Sequence, residues 1–334
     1  MKKTLLAALI ASTATSAFAV QTSSQNSKPA FEFDPVHKDQ FSVSGSFGVG
    51  GYYDTKSNAF YDDWATALTV AVSYQNNRVL GYFETDLEAN WTTDDKTNPF
   101  DVESDFNTDV DKAWLGFDTG YGIASYGWEN DTALDKVDGA GDMTYEFGAS
   151  AGDASDAFNV VKFQGSTAGV AYGISYFETA DKHSDADKGI NGYLGYEHKV
   201  FNIYAGYEER DEADFSVISL SGNANVGSIT LGFNSWIDEG KNDEEVNTTD
   251  YKNSGYYLSS AYSLNDQLIL AAGYGSNTTE ENNNADIDVS YYNIAAMYTL
   301  NERADMGIDI KRDIDVESGS DEETYVFASA YYYF

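Results

Sequence analysis

The sequence predicts an all-β protein: a transmembrane, antiparallel, up-and-down β-barrel of 16 strands. Three observations lead there. Apolar residues alternate with small or polar ones through most of the chain, which places an apolar medium on one face of each strand and a polar one on the other. Short and long connections take turns along the chain, as in a barrel with tight turns at one rim and long loops at the other. After the first 19 residues no stretch reaches the ~20 apolar residues of a membrane-spanning helix, so strands must supply the apolar surface.

Lys2 and Lys3, the apolar run from Leu5 to Ile10 and Ala17-Phe18-Ala19 have the order of a secretory signal peptide, assigned to 1–19. Residues 20–39 hold two of the three prolines and no sustained period. They are expected to form a tail, either a loose leader or a segment that packs Phe31, Phe33 and Pro35 into the barrel. The barrel itself is assigned to 40–334. Its first strand alternates at Phe41, Val43, Phe47 and Val49. The same period recurs at Trp64, Thr66, Leu68, Val70, Val72 and Tyr74, then at Val170 to Tyr176, Ile229 to Phe233, Tyr292 to Leu300 and Met306 to Ile310.

Strands are expected to begin near 40, 62, 79, 110, 123, 157, 170, 190, 201, 215, 227, 254, 267, 289, 304 and 324. Long acidic loops are expected near 54–62, 93–109, 129–156, 179–189, 238–253, 277–288 and 313–323. A soluble sandwich would fill both inner faces with large aliphatic side chains. Here the polar face carries Gly, Ser, Asn, Asp and Glu, which suits a wet lumen. Tyrosines crowd strand ends, where an interfacial girdle belongs, and there is no fixed short repeat of a β-helix.

The chain has 55 acidic and 19 basic residues, a net charge of −36, and loss of Lys2 and Lys3 with the leader deepens that excess. Such a charge excludes nucleic acid as a partner and favours cations. The 26 Tyr, 19 Phe and 5 Trp exclude a disordered chain. With no cysteine there is no disulfide, thiolate metal site or cysteine nucleophile.

One connection stands out. From Trp128 to Phe158 the chain is too long for a hairpin and too acidic for a core, with glycines at 139, 141, 148 and 152 and carboxylates at Asp138, Asp142, Glu146, Asp153 and Asp156. Loops of this length are commonly functional. The final strand, TYVFASAYYYF, alternates to the end of the sequence at Phe334.

Residues 112–148, KAWLGFDTGYGIASYGWENDTALDKVDGAGDMTYEFG, resemble the strand–turn–strand–third-loop region of Gram-negative general porins. The family's Asp-x-x-x-Glu-Phe-Gly pattern is met by Asp142, Glu146, Phe147 and Gly148, with Tyr145 where the family usually has proline. The resemblance implies a third loop that folds inward and narrows the pore with Asp138, Asp142, Glu146 and Asp153, a basic wall opposite it at Lys112 and Lys162, a homotrimer in the cell outer membrane, and Phe334 as a sorting signature. Two further wall positions are Ser46 and Ala67 here, so half the basic wall is missing. Alternation about Val79, Phe83 and Leu87 turns Glu84, Asp86 and Glu88 inward, and Asp309 and Lys311 also face the lumen. A passage lined by Asp138, Asp142, Glu146, Glu84, Asp86 and Glu88 is expected to hold a negative potential that enriches cations.

The expected function is passive diffusion of cations and small hydrophilic solutes, without a cofactor. A substrate-specific sugar-type channel is the alternative; it calls for more strands and a lumenal aromatic line, for which Trp114, Trp128 and Trp236 are candidates. Use of the outer loops in adhesion or as a receptor would be a secondary role. Of the histidines, His37, His183 and His198, none has a nucleophile arrangement beside it, which argues against an enzyme. The acidic runs Asp238–Glu245 and Asp321–Glu323 are expected to associate weakly with Ca²⁺ or Mg²⁺ and to bridge through them to lipopolysaccharide, alongside contact with outer-membrane lipid.

Overall fold

The computed structural model describes residues 39–62, 64–93, 105–179, 187–211, 214–244, 247–281 and 285–334. The expected signal peptide, Phe31, Phe33 and Pro35 of the tail, His37, His183 and Glu245 lie outside these residues. The described chain runs through β1 (Gln40–Asp54), β2 (Ala59–Tyr61), β3 (Ala67–Asn76), β4 (Val79–Asn90), β5 (Asp105–Asp118) and β6 (Ile123–Asp131). After the long connection come β7 (Asp156–Thr167), β8 (Val170–Glu178), β9 (Lys188–His198), β10 (Phe201–Arg210), β11 (Phe215–Val226) and β12 (Ile229–Glu244). The last are β13 (Asn247–Ser263), β14 (Leu268–Glu281), β15 (Ile287–Asn301), β16 (Ala304–Asp315) and β17 (Thr324–Tyr333).

Sequence neighbours pair antiparallel, and β17 returns to β1 with Tyr331 opposite Gly48. The sheet is therefore closed, which removes the unpaired edges that a bilayer would not tolerate. Short β2 pairs with the far end of β1 and β3 with its near end, so the two share one place and the wall is 16 strands around. Phe334 completes the seam: its N–H donates to Gly45 O at 3.1 Å and its carbonyl accepts Gly45 N–H at 3.2 Å.

Register sets which side chains meet which medium. Phe41, Val43, Leu115, Ile174, Leu194, Ile218 and Leu258 all stand exposed on the outside. A contiguous apolar surface of that extent is a liability in water and fits lipid. Tight turns gather at one rim. Ala168 and Gly169 between β7 and β8 have φ of 51° and 84°, the pair of left-handed residues that a two-residue turn needs to match strand twist.

Three expectations about loops are corrected. Strand pairing runs much farther towards the long-loop rim than charge implied, because alternating side chains and backbone bonds tolerate acidic residues in water. Residues 238–253 belong largely to the β12–β13 ladder, and much of 277–288 to β14 and β15. The expected loop at 54–62 is a hairpin whose return is β2.

A closed barrel resists unfolding by detergent until heated. Unheated and boiled samples should therefore migrate differently in SDS gels; identical migration at all temperatures would contradict the closed wall.

Candidate pore constriction

Between β6 and β7 the chain turns into the lumen. It forms the single-turn helix α1 (Asp135–Asp138) and a 3-10 turn at Gly139–Gly141. Its apolar side chains explain the turn inward. Leu134 and Val137 are fully buried among Tyr193, Tyr204 and Val217 of the wall. The wall is cut to receive them. A Cβ on Gly206 would lie 2.1 Å from Leu134 Cδ1, and one on Gly141 would lie 1.9 Å from Phe233 O.

A short inward segment leaves backbone groups without partners, and the wall supplies them. Ser221 Oγ donates to Val137 O at 2.6 Å, Asn223 Nδ2 to Ala140 O at 2.9 Å, and Ser259 Oγ to Gly141 O at 2.7 Å. Asn234 Nδ2 donates to Ala149 O at 2.8 Å. These small polar residues were expected to face water. On this side of the barrel they form a docking surface instead.

Two buried carboxylates fasten the loop, one at its tip and one on its return limb. Asp309, 0% exposed, accepts the N–H groups of Tyr145, Glu146 and Phe147 at 3.2, 2.9 and 3.1 Å. Asn293 Nδ2 donates to both its oxygens at 3.1 Å. Asp309 is thus a fastener beneath the loop and not a free lumenal charge. On the return limb Glu208, also 0% exposed, accepts Ala154 N–H at 3.2 and 3.1 Å and is paired with Arg210 at 2.7 Å. Glu208 escaped the sequence reading, although Tyr204, Gly206 and Glu208 share the inward parity of β10.

The four acids expected at the constriction are all on this loop. Asp142 Oδ1 accepts both the N–H and the hydroxyl of Thr144, at 2.8 and 2.7 Å, and closes the turn before the tip. Gly148 leaves room for it, since a Cβ there would stand 1.8 Å from Asp142 Oδ2. Glu146 Oε1 accepts the Tyr52 hydroxyl at 2.6 Å. Asp138, Asp142 and Glu146 line a common cavity of about 370 Å³; Asp153 is buried on the return limb. Burial pushes the Asp138 carboxyl up to about 6 and also raises Asp142 and Asp153, the latter with help from the charges of Asp138 and Glu208.

The lysines sit at the loop's root. Lys112 Nζ lies 2.8 Å from Asp131 Oδ1, and Lys162 Nζ donates to Asp131 O at 2.7 Å. Lys112 also stands opposite Glu84 in the β4–β5 register. Their contacts are with the base of the loop and not across the passage from its tip, because Asp131 ends β6 where the loop departs. Glu84, Asp86 and Glu88 do point inward and are buried. Ala67 faces Glu88, so a neutral residue meets an acid where a basic wall was sought. Lys311 faces inward with its ammonium 4.6 and 4.9 Å from the Tyr291 and Tyr325 rings.

Trp114 stacks on Tyr82 and Trp236 is buried within the barrel, but Trp128 is exposed on the outside beside Phe158. Trp128 keeps the outward parity of Ala124 and Tyr126 along β6, so the lumenal line of tryptophans is broken.

The fastening role of Asp309 is testable. Hydrogen bonds to an ionised acceptor contribute about 1.5–3 kcal/mol each, and ~1.4 kcal/mol is tenfold in an opening equilibrium. Asp309→Ala should therefore speed amide exchange at Tyr145, Glu146 and Phe147 by at least about tenfold while exchange in β3–β8 stays as in the parent.

The sequence matches the Gram-negative porin family over residues 6–316. No curated protein matches it. Among solved structures the barrel is similar to OmpT, an in-vitro folded outer membrane protein of Vibrio cholerae in its trimer form, with TM-score 0.66 and 15% identity over 89% of this chain and 99% of that one. It is similar to an anion-selective porin from Comamonas acidovorans, with TM-score 0.66 and 11% identity over 89% and 100%. It is similar also to Salmonella typhi OmpF in complex with daunomycin, with TM-score 0.68 and 17% identity over 88% and 97%. These likenesses speak for the fold, and the family match spans nearly the whole sequence. A closed 16-place barrel with a loop fastened inside it is what that family match calls for, and the chain belongs to the Gram-negative porin family, the diffusion channels of the outer membrane.

Proposed function

We propose that the chain forms a water-filled, cation-preferring channel for ions and small hydrophilic solutes, without enzymatic activity. The observation that carries this reading is the loop tip, where Asp138, Asp142 and Glu146 share one cavity while Lys112 and Lys162 are held at the loop's root by Asp131. Low-dielectric walls focus the resulting field and raise the local cation concentration. Glu84, Asp86 and Glu88 add to it from β4.

Export through a signal peptide at 1–19, a tail over 20–39 and Phe334 as the assembly signal follow from the sequence. The family and the trimer form of the Vibrio protein support a homotrimer. Contact with outer-membrane lipid and lipopolysaccharide follows from the apolar belt and the acidic rim. That rim is partly self-neutralised, with Lys56 2.8 Å from Glu323 and Arg312 2.8 Å from Glu322, so divalent ions should bind there weakly. His198, the one histidine among the described residues, lies 5.2 Å from the Phe201 ring at a tight turn and has no catalytic setting.

Replacing Asp142 and Glu146 by Asn and Gln removes two charges at nearly constant size. The zero-current potential in a KCl gradient should then move towards zero, most in dilute salt, because the Debye length shrinks from ~10 Å at 0.1 M to ~3 Å at 1 M. Lys162→Met should move it the other way. An unchanged potential in the double variant at low salt would place the selectivity elsewhere, with Glu84, Asp86 and Glu88 next to be replaced.

Acidification should act in the same direction as the double variant. With its carboxyl raised to about 6, Asp138 gains a proton on going from pH 7 to 5, so cation preference should fall over that window. The sign for stability is opposite. The folded chain holds this proton at a pH where the unfolded chain has lost it, so the same window should leave folding slightly favoured. Reversal potentials and thermal unfolding at pH 7, 6 and 5 check both.

A further inference from the structure

Trp64 and Thr66 continue the outward alternation of Leu68, Val70 and Val72 in the sequence, yet neither belongs to a strand. Between β2 and β3 Trp64 and Ala65 lie on the lumenal side, while Asp62 N–H donates to Trp91 O at 2.8 Å and Thr66 O accepts Ala89 N–H at 2.9 Å and so keep the wall bonded on either side. Gly48 marks the side: a Cβ there, pointing inward from β1, would lie 2.8 Å from Ala65 O. Ala65 is fully buried, and the Trp64 ring stacks on Phe327 at 5.8 Å.

This inward segment is built and held. Asp62 Oδ1 accepts the N–H groups of Trp64 and Ala65 at 2.9 and 2.7 Å, and Oδ2 that of Thr66 at 2.9 Å. Thr66 Oγ1 donates to Gly50 O at 3.1 Å. The segment's reach ends at the loop tip. Trp64 Nε1–H donates to Tyr52 Oη at 3.1 Å, and Tyr52 Oη–H donates to Glu146 Oε1 at 2.6 Å. An indole N–H can only donate. It therefore occupies a lone pair of Tyr52 and leaves the phenolic proton for the carboxylate. Trp64 also walls the cavity that holds Asp138, Asp142 and Glu146.

We infer that Trp64 and Ala65, held by the Asp62 carboxylate, form a second constriction element, and that Trp64 is a specificity-determining residue that positions Glu146 through Tyr52. The inference rests on the cation-preferring reading above and adds to it a wall element next to Asp309, since Tyr52 and Asp309 both lie opposite Phe327 in the register and Trp64 stacks on that ring. Trp64 does two separable things: its ring narrows the passage, and its N–H orients the donor that holds the carboxylate.

The test is a set of variants in planar bilayers, each first shown to keep its heat-modifiable barrel. Trp64→Phe keeps an aromatic wall and loses the N–H; Tyr52→Phe keeps the ring and loses the link. Each should lower the K⁺ over Cl⁻ permeability ratio at 0.1 M salt by about twofold or more, the scale of one lost hydrogen bond, with molar-salt conductance unchanged. Combining the two should lower it no further. Trp64→Ala should lower the ratio and also raise conductance. Wild-type ratio and conductance in Trp64→Phe, Tyr52→Phe and Trp64→Ala would overturn the inference. If the Asp142/Glu146 double variant changes selectivity in the same experiment while these do not, the loop reading stands without the second element. If none of them changes it, both fall.

Discussion

Asp309 is the interaction on which the interior depends. One buried carboxylate gathers three consecutive N–H groups of the loop tip, and Asn293 holds that carboxylate from the wall. A backbone turn inside a barrel has no strand to pair with, so without such an acceptor its N–H groups would demand water and the tip would drift. An anion does this better than a neutral amide, because charge-assisted bonds are roughly twice as strong. The same negative charge lies beneath the tip, where it adds to the field of Asp138, Asp142 and Glu146 and so serves position and potential together.

The loop divides the inner face of the barrel into two halves with different chemistry. Where it docks, the small polar side chains of β11 to β13 satisfy its carbonyls, and Leu134 and Val137 fill a nearly dry pocket. Where it does not, Glu84, Asp86 and Glu88 remain as an acidic face. Basic residues are spent near other structure: Lys112 and Lys162 on Asp131, Arg210 on Glu208, Lys311 between two tyrosines. Among the described residues the passage is lined by many carboxylates, and on the proposed reading this asymmetry is the origin of the cation preference.

The wall was readable because its period is enforced at every residue by two media. Alternation placed β7 to β11 within a residue or two. Charge was the misleading signal: acidic runs at 238–253 and 277–288 read as loops, yet a strand reaching beyond the bilayer needs no apolar face. The interior was harder to see, because its contacts join residues far apart in sequence. Asp309 was recognisably lumenal, but nothing local said that it would meet Tyr145 to Phe147. Trp64 obeyed the lipid-facing period and still turned inward, since the Asp62 carboxylate offers its backbone a competing set of bonds that a periodicity argument does not weigh.

The parent chain has no cysteine, so a single introduced thiol reports its own surroundings without background. Glu146→Cys places one at the tip, and the measurement is its rate of modification by cationic and anionic methanethiosulfonate reagents of equal size during single-channel recording. The account predicts much faster reaction with the cationic reagent at low salt, a difference that shrinks as salt rises, and a stepwise loss of conductance as each thiol is modified. Equal rates at low salt, faster reaction with the anionic reagent, or modification that leaves the current untouched would contradict an acidic constriction at the loop tip.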